Sequence, residues 1–282
     1  MIRIYADSTN DLGKELIEKN NIKVIPLYVT IGDKTGKDGV DILPDDIYAW
    51  ADANKDTPKT AAFSPDDLIK PLEEAKAAGD DVIFVGISED MSASCNIVRL
   101  TAQVVDYEDH VFVVNSRNLS TGIGLLMLEI CRMRDEGMSA PEIMEKIEDI
   151  IPRVRASFVL DTLIYLSRGG RCSTVTALLA GTLQLKPKIV VENGKMRVDK
   201  KYRGKIGAVI MKYAKDMEEA MLNAESENIF ITHSGVNEEI INEVKAYLES
   251  LHYFKNIYIT RAGGVISSHC GPGTLGVLYI VK

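Results

Sequence analysis

Two arginines bracket a glycine pair in the stretch D-T-L-I-Y-L-S-R-G-G-R-C-S, residues 161–173. Arg168 and Arg171 carry permanent charges on planar donor forks that match a carboxylate or a phosphate. Gly169 and Gly170 permit a tight turn or a close backbone approach to a ligand. Taken alone, the stretch also reads as a turn with solvated arginines. Its interest comes from hydroxyl-rich, nearly uncharged segments ahead of it and from His269 behind it. Ser8-Thr9-Asn10, the 88–94 segment S-E-D-M-S-A-S and the 115–124 segment N-S-R-N-L-S-T-G-I-G each follow a strand-like run and precede a helix-like one. Serine hydroxyls and the free N–H groups of helix starts make a donor-rich place for an anion. The same serines can instead cap those helices. His269, just ahead of a Gly-Pro-Gly turn, suits a ligand donor or a proton carrier, or equally a surface loop histidine. His233, in T-H-S-G, is a second residue of that kind.

Several chemistries are excluded by what is missing. There is no G-x-x-x-x-G-K-[ST], and Gly122 and Gly124 fall short of G-x-G-x-x-G, so nucleotide fingerprints are absent. No G-x-S-x-G elbow occurs, and the four histidines lack H-x-x-x-H or H-x-H spacing for a metal. A small, singly charged group such as a carboxylate suits the serine edge better than a polyphosphate. The net charge of −8 makes nucleic acid and anionic membrane poor partners for the surface as a whole. Cys95, Cys131, Cys172 and Cys270 are scattered without a C-x-x-C pair, as in a reduced, cytosolic protein. The start M-I-R-I-Y-A-D-S does not read as a signal peptide, and no apolar run reaches spanning length, so the expected location is cytoplasmic.

The elements that must position these residues alternate. Strands are expected at 2–6, 23–31, 81–87 and 110–114, with helices at about 12–19, after Pro44, after Ser64-Pro65, to about 105 and to about 137. Such alternation indicates a parallel sheet with helices on both faces, which binds ligands outside the carboxyl ends of its strands. The loops of Ser8, Ser92 and Ser120 should therefore share one edge. Thr60, in K-T-A-A-F-S-P, reads from its own stretch as a polar loop residue. Past Pro152 comes a second α/β half: a small-residue helix over 173–185, a hairpin over 188–200 turning on Asn193-Gly194, helices at about 205–222 and 237–251, and strands at 228–232 and 256–260. The expected fold is α/β in two domains, a three-layer parallel-sheet domain over 1–155 and a mixed-sheet domain over 156–282.

The chain resembles the DegV family of bacterial fatty-acid-binding proteins over essentially its whole length. The resemblance is carried, in family order, by A-D-S-T-N-D-L, K-T-A-A-F-S-P, S-E-D-M-S-A-S, N-S-R-N-L-S-T-G-I-G, F-V-L-D-T-L-I-Y-L-S-R-G-G-R, L-K-P-K-I, K-Y-R-G-K and S-H-C-G-P-G-T-L-G. It implies a fatty acid held between and within two domains, with no further cofactor. Thr60 and Ser92 would hold the carboxylate, with Arg171 and His269 near the head group. Ser94, Ser120 and Arg168 are further candidates. The resemblance also implies a partner, a separate fatty acid kinase that phosphorylates the bound acid, and a carrier that is not itself an enzyme. Two other readings stay open: an enzyme on a small anion with Ser92 or Ser120 as nucleophile and His269 as base, and a regulatory protein with structural lipid. The chain departs from the family pattern at Ala61-Ala62-Phe63, where S-Q-P is usual, at Ala93 in place of glycine, and at Asn115 in place of aspartate. Phe63 is expected to reshape the mouth, and Ala93 to tighten its loop.

Overall fold

The computed structural model describes residues 1–176 and 185–282. Its first half opens with β1 (Ile2–Asp7), α1 (Lys14–Lys19) and β2 (Ile22–Ile25). Pro26 stops β2, since it lacks the N–H that a ladder needs. The run expected as one strand over 23–31 therefore divides, and β3 (Tyr28–Ile31) joins a different sheet. It pairs antiparallel with β4 (Lys34–Lys37). After α2 (Pro44–Asn54), the short β5 (Lys59–Ala61) takes the other side of β3 with Thr60 opposite Val29. Thr60 thus lies on an edge strand rather than in a loop.

The half is completed by α3 (Asp66–Ala78), β6 (Asp81–Gly86), α4 (Ser94–Val104), β7 (Val111–Asn115), α5 (Thr121–Asp135) and α6 (Ala140–Ile150). Helix α3 begins one residue later than its Ser-Pro signal; Pro65 is the cap, and Asp67 Oδ2 accepts the Ser64 N–H at 3.0 Å. The main sheet, in the order β2-β1-β6-β7, is parallel throughout. Its side chains alternate between faces. Ile4, Ala6, Ile83 and Val85 pack in one core with Leu126 and Ile130 of α5 and Ile143 of α6. Tyr5, Val82 and Phe84 pack in another with Leu68 and Leu72 of α3 and Val98 of α4. These are the three layers that the alternation indicates.

A 3₁₀ turn at Ile151–Arg153 leads into β8 (Val154–Val159), α7 (Ile164–Gly169) and α8 (Ser173–Thr176). The helix expected over 173–185 lies largely outside the described residues. There follow β9 (Leu185–Glu192), β10 (Lys195–Arg203), α9 (Ile206–Asp216), α10 (Glu218–Leu222), β11 (Ala224–Ser234), α11 (Glu238–Ser250), β12 (Asn256–Arg261), α12 (Gly264–Cys270) and β13 (Thr274–Val281). Asn193 and Gly194, at φ 50° and 83°, turn the β9–β10 hairpin as an Asn-Gly pair should. The second sheet, β10-β9-β8-β13-β11-β12, is antiparallel except for β11–β12. One face is covered by Ile210 and Tyr213 of α9 and Val244 and Leu248 of α11. The other face, with Phe158, Phe230 and Leu278, joins the same core as Met127 and Ile130 of α5. Helix α5 is therefore packed between the two sheets and couples the halves.

Candidate functional site

Because β1, β6 and β7 run parallel, the loops carrying Ser8, Ser92 and Ser120 leave the same edge of the sheet. The chain crosses from β2 past β1 to β6, which puts the switch point between β1 and β6. Two of the three serines serve buried carboxylates there. Ser8 Oγ donates to Asp38 at 2.7 Å and accepts the Leu27 N–H, while Ser120 Oγ donates to Asp11 at 2.5 Å. Ser92 alone turns to open space, with its Oγ 2.9 Å from that of Ser94. Ser94 is buried behind it and helps orient it.

That space is a cleft between the halves. Thr60, Ser92, Arg171 and His269 supply its polar lining, and Leu27, Ile87, Met91, Met196 and Val265 its apolar walls. Helix α12 presents Val265, Ile266, His269 and Cys270 to it, a spacing that puts them on one helical face. His269 thus stands in the last turn of a helix, not in the loop expected from the Gly-Pro-Gly sequence. A smaller back cavity lies beside the cleft, and Leu119, Ile266 and Cys270 line both. It is also lined by Phe158, Gly276 and Leu278 and by Thr232, His233, Ser234 and Thr274. Ser120 lines this back cavity with its hydroxyl turned to Asp11. Sequence reasoning missed this partition, which has no local signature.

Thr60 Oγ1 lies 2.8 Å from His269 Nε2, joining residues 209 apart in sequence. Burial, reinforced by the positive charge of Arg171, lowers the His269 pKa to about 4, so the ring is neutral at pH 7. Its Nδ1 is buried without a hydrogen-bond partner among the described residues. Gly169 explains how the ring fits: a Cβ there would stand 2.2 Å from Nδ1. The glycine pair therefore approaches the imidazole rather than a ligand, and Gly170, at φ 70°, ends α7. Arg171 anchors Nη1 on Gly169 O at 2.8 Å, and its Nε reaches toward Met91 O. Arg168 points away, its guanidinium 3.5 Å from Lys55 O on the outer surface, and does not line the cleft.

Two expectations about departures from the family pattern are corrected. Phe63 is 1% exposed and packs edge-on against Phe84 in the core, so it leaves the mouth to Ala61 and Ala62. Ala93 sits at φ −82°, open to any residue, so its methyl imposes nothing on the loop. The serine–histidine pairing of a hydrolytic enzyme is not formed: His269 Nε2 faces Thr60, Ser92 faces Ser94, and Ser120 faces Asp11.

Three buried carboxylates, unremarked in the sequence, hold the edge together. Asp7 Oδ2 accepts the Ile87 N–H at 2.9 Å, closing the switch point between β1 and β6. Asp11 and Asp38 accept the N–H groups of Gly263 and Gly264 at 2.8 and 2.6 Å, tying α12 to the first half. Burial raises all three, Asp7 to about 6 and Asp11 to about 8, with the neighbouring carboxylates adding to both. An unfolded aspartate titrates near 3.9, so the folded chain keeps protons that the unfolded chain releases. The resulting stability is complete below about pH 4 and is lost as the pH rises through about 6 to 8. Thermal denaturation should show a midpoint that falls between pH 6 and 8, with a shallower slope in Asp11→Asn. A wild-type midpoint that rises over that interval would contradict the assignment.

Fold and cleft together define a class: a two-lobed α/β binding protein whose apolar interior opens through a mouth of hydroxyls, an imidazole and a guanidinium. The family match is as wide as the chain. Residues 1–282 match the family described as "Uncharacterised protein, DegV family", and the chain belongs to the DegV family. A DegV domain-containing protein of Caldanaerobacter subterraneus is 32% identical over 283 residues, covering 100% of this chain and 99% of its own. A Thermus thermophilus structure, described as fatty acid binding of a DegV family protein, matches with a TM-score of 0.91 at 26% identity, covering 100% and 99% of the two chains. The Streptococcus pneumoniae Fatty Acid Kinase (Fak) B3 protein loaded with linoleic acid shares the fold, with a TM-score of 0.85 at 23% identity and complete coverage of both chains.

Proposed function

We propose that this chain binds a long-chain fatty acid and presents its carboxylate to a separate fatty acid kinase for acyl-phosphate formation. The observation that carries the reading is the polarity of the voids. Polar groups gather at the mouth, and behind Leu119, Ile266 and Cys270 a second cavity is walled by Phe158, Ala262 and Leu278 together with His233 and the hydroxyls of Ser120, Thr232, Ser234 and Thr274, which are bonded within the protein. In this reading the carboxylate stays at Thr60 and Ser92, and the tail runs toward Phe158 and Leu278. Neutral His269, donating from Nε2 to Thr60 Oγ1, would leave the threonine proton free for the carboxylate. Each hydrogen bond to the charged group contributes roughly 1.5–3 kcal/mol, and each buried methylene about 0.8 kcal/mol. The chain therefore supplies most of the affinity and the head group its orientation.

The full-length likeness to a fatty-acid-binding protein of Thermus supports the ligand, and the streptococcal protein suggests the kinase. We place the protein in the cytoplasm. Its four buried free cysteines fit a reducing compartment, and no helix of the described residues is long and apolar enough to cross a membrane. Native mass spectrometry of protein purified from cells tests the reading. A co-purifying mass of fatty-acid size is expected. A cleft that stays empty, even after incubation with oleate, would overturn it.

A further inference from the structure

Ser92 lines the cleft, but the direction of its hydroxyl is set from behind. Ser94 opens α4, is 0% exposed and lines no part of the cleft. Its backbone N–H, one of those at a helix start with no intrahelical partner, lies 3.3 Å from Ser92 Oγ. Its hydroxyl lies 2.9 Å from the same oxygen and has no other partner among the described residues. The backbone carrying the pair is fixed. Met91 and Ser92 both donate their N–H groups to Ser88 O, at 2.9 and 3.1 Å, and Ile97 donates to Ala93 O at 3.0 Å.

Distance alone lets either hydroxyl of the pair donate, and burial decides between them. A hydroxyl has one proton and two lone pairs. If Ser92 donated, the Ser94 proton would be buried with no acceptor, at the full cost of an unpaired donor. If Ser94 donates, every proton has a place. Both Ser92 lone pairs are then filled from Ser94, by its N–H and its O–H, and the Ser92 proton is left for the cleft. The opposite wall is built alike. His269 Nε2 stands 2.8 Å from Thr60 Oγ1, and the buried Nδ1 has no hydrogen-bond partner among the described residues. A bare ring nitrogen tolerates that position better than an N–H does, so the proton sits on Nε2 and points at the threonine.

We propose that Ser94 is a positioning residue that commits the Ser92 hydroxyl to donating, so that the mouth selects an ionised carboxylate over head groups that bring their own proton. The inference rests on the carrier reading above and adds to it the source of head-group selectivity. An ionised carboxylate only accepts, and it takes the Ser92 proton without conflict. A fatty alcohol of the same chain carries a donor of its own. Opposite Ser92 that donor meets no free lone pair, and an unpaired donor in a buried mouth is disfavoured. Ser94 touches no ligand in this scheme and acts wholly through Ser92.

The test titrates delipidated full-length protein with oleate and with oleyl alcohol, and circular dichroism confirms that each variant is folded. Ser94→Ala removes one buried oxygen and opens a lone pair on Ser92. It should weaken oleate and tighten the alcohol, lowering the oleate-to-alcohol affinity ratio about tenfold, as the loss of one hydrogen bond does. Because Ser94 acts through Ser92, adding Ser94→Ala to Ser92→Ala should not move the ratio further. A ratio unchanged in Ser94→Ala, equal losses for both ligands, or an effect that persists without the Ser92 hydroxyl would each overturn the assignment while leaving the carrier reading standing. Failure of the wild type to bind oleate would instead remove the carrier reading, and this inference with it.

Discussion

Thr60→Ala combined with Ser92→Ala is expected to empty the protein of fatty acid while leaving it folded. The two hydroxyls come from an edge strand and from the loop after β6, and both line the mouth of one cleft. Under the proposed reading each donates to the ligand carboxylate. Losing both removes roughly 3–6 kcal/mol, two bonds to a charged group, or about 10² to 10⁴ in affinity. The consequence is sharpened by burial, since a carboxylate drawn into a poorly hydrated site without donors is strongly disfavoured. The measurement is the ligand-to-protein ratio by native mass spectrometry, with circular dichroism to confirm the fold. Thr60 also partners His269 Nε2, so Thr60→Ala leaves an imidazole nitrogen unpaired. Thr60→Ser, which keeps the hydroxyl, separates that effect and should retain ligand. A double variant that still carries one fatty acid per chain would show that the carboxylate lies elsewhere.

His269→Ala and Arg171→Ala are expected to separate holding the acid from presenting it. Both residues come from the second half of the chain and meet the first half's hydroxyls at the mouth. Binding draws chiefly on the buried chain, at about 0.8 kcal/mol per methylene, so oleate affinity should fall by no more than about tenfold. Phosphoryl transfer makes a different demand, because charge builds on the moving group and needs fixed donors. Removing one such donor typically lowers turnover by about 10² to 10³. Arg171 is the better placed of the two arginines, since Arg168 turns to Lys55 on the outer surface. The assay is acyl-phosphate formation by a fatty acid kinase with each variant saturated with ligand. Equal losses in binding and phosphorylation would reduce these residues to ligand holders. No loss in either would return the arginine turn to a solvated one.

Local chemistry already carried much of this architecture. The alternation of apolar runs with amphipathic ones specified the parallel sheet, because strand and helix periodicities are properties of neighbouring residues. Asn193-Gly194 specified its hairpin for the same reason, since two left-handed residues in a row favour that pair. Once those strands are parallel, the shared edge of Ser8, Ser92 and Ser120 follows from geometry. The motif order was likewise legible, and with it the family.

What the chain could not reveal residue by residue depended on partners distant in sequence. Thr60 looked like a loop residue because β5 is a three-residue strand that exists only by pairing with β3. His269 looked like a turn residue because its helix is short and held by Asp11 and Asp38, more than 200 positions away. Phe63 was expected to reshape the mouth, but packing against Phe84 places it in the core. Which serine lines the cleft and which face an aspartate was equally invisible, since a hydroxyl's partner is set by what packs against it. The neutral state of His269 and the raised aspartates have the same origin. They arise from burial and from neighbouring charge, quantities that come into being only when distant parts of the chain pack together.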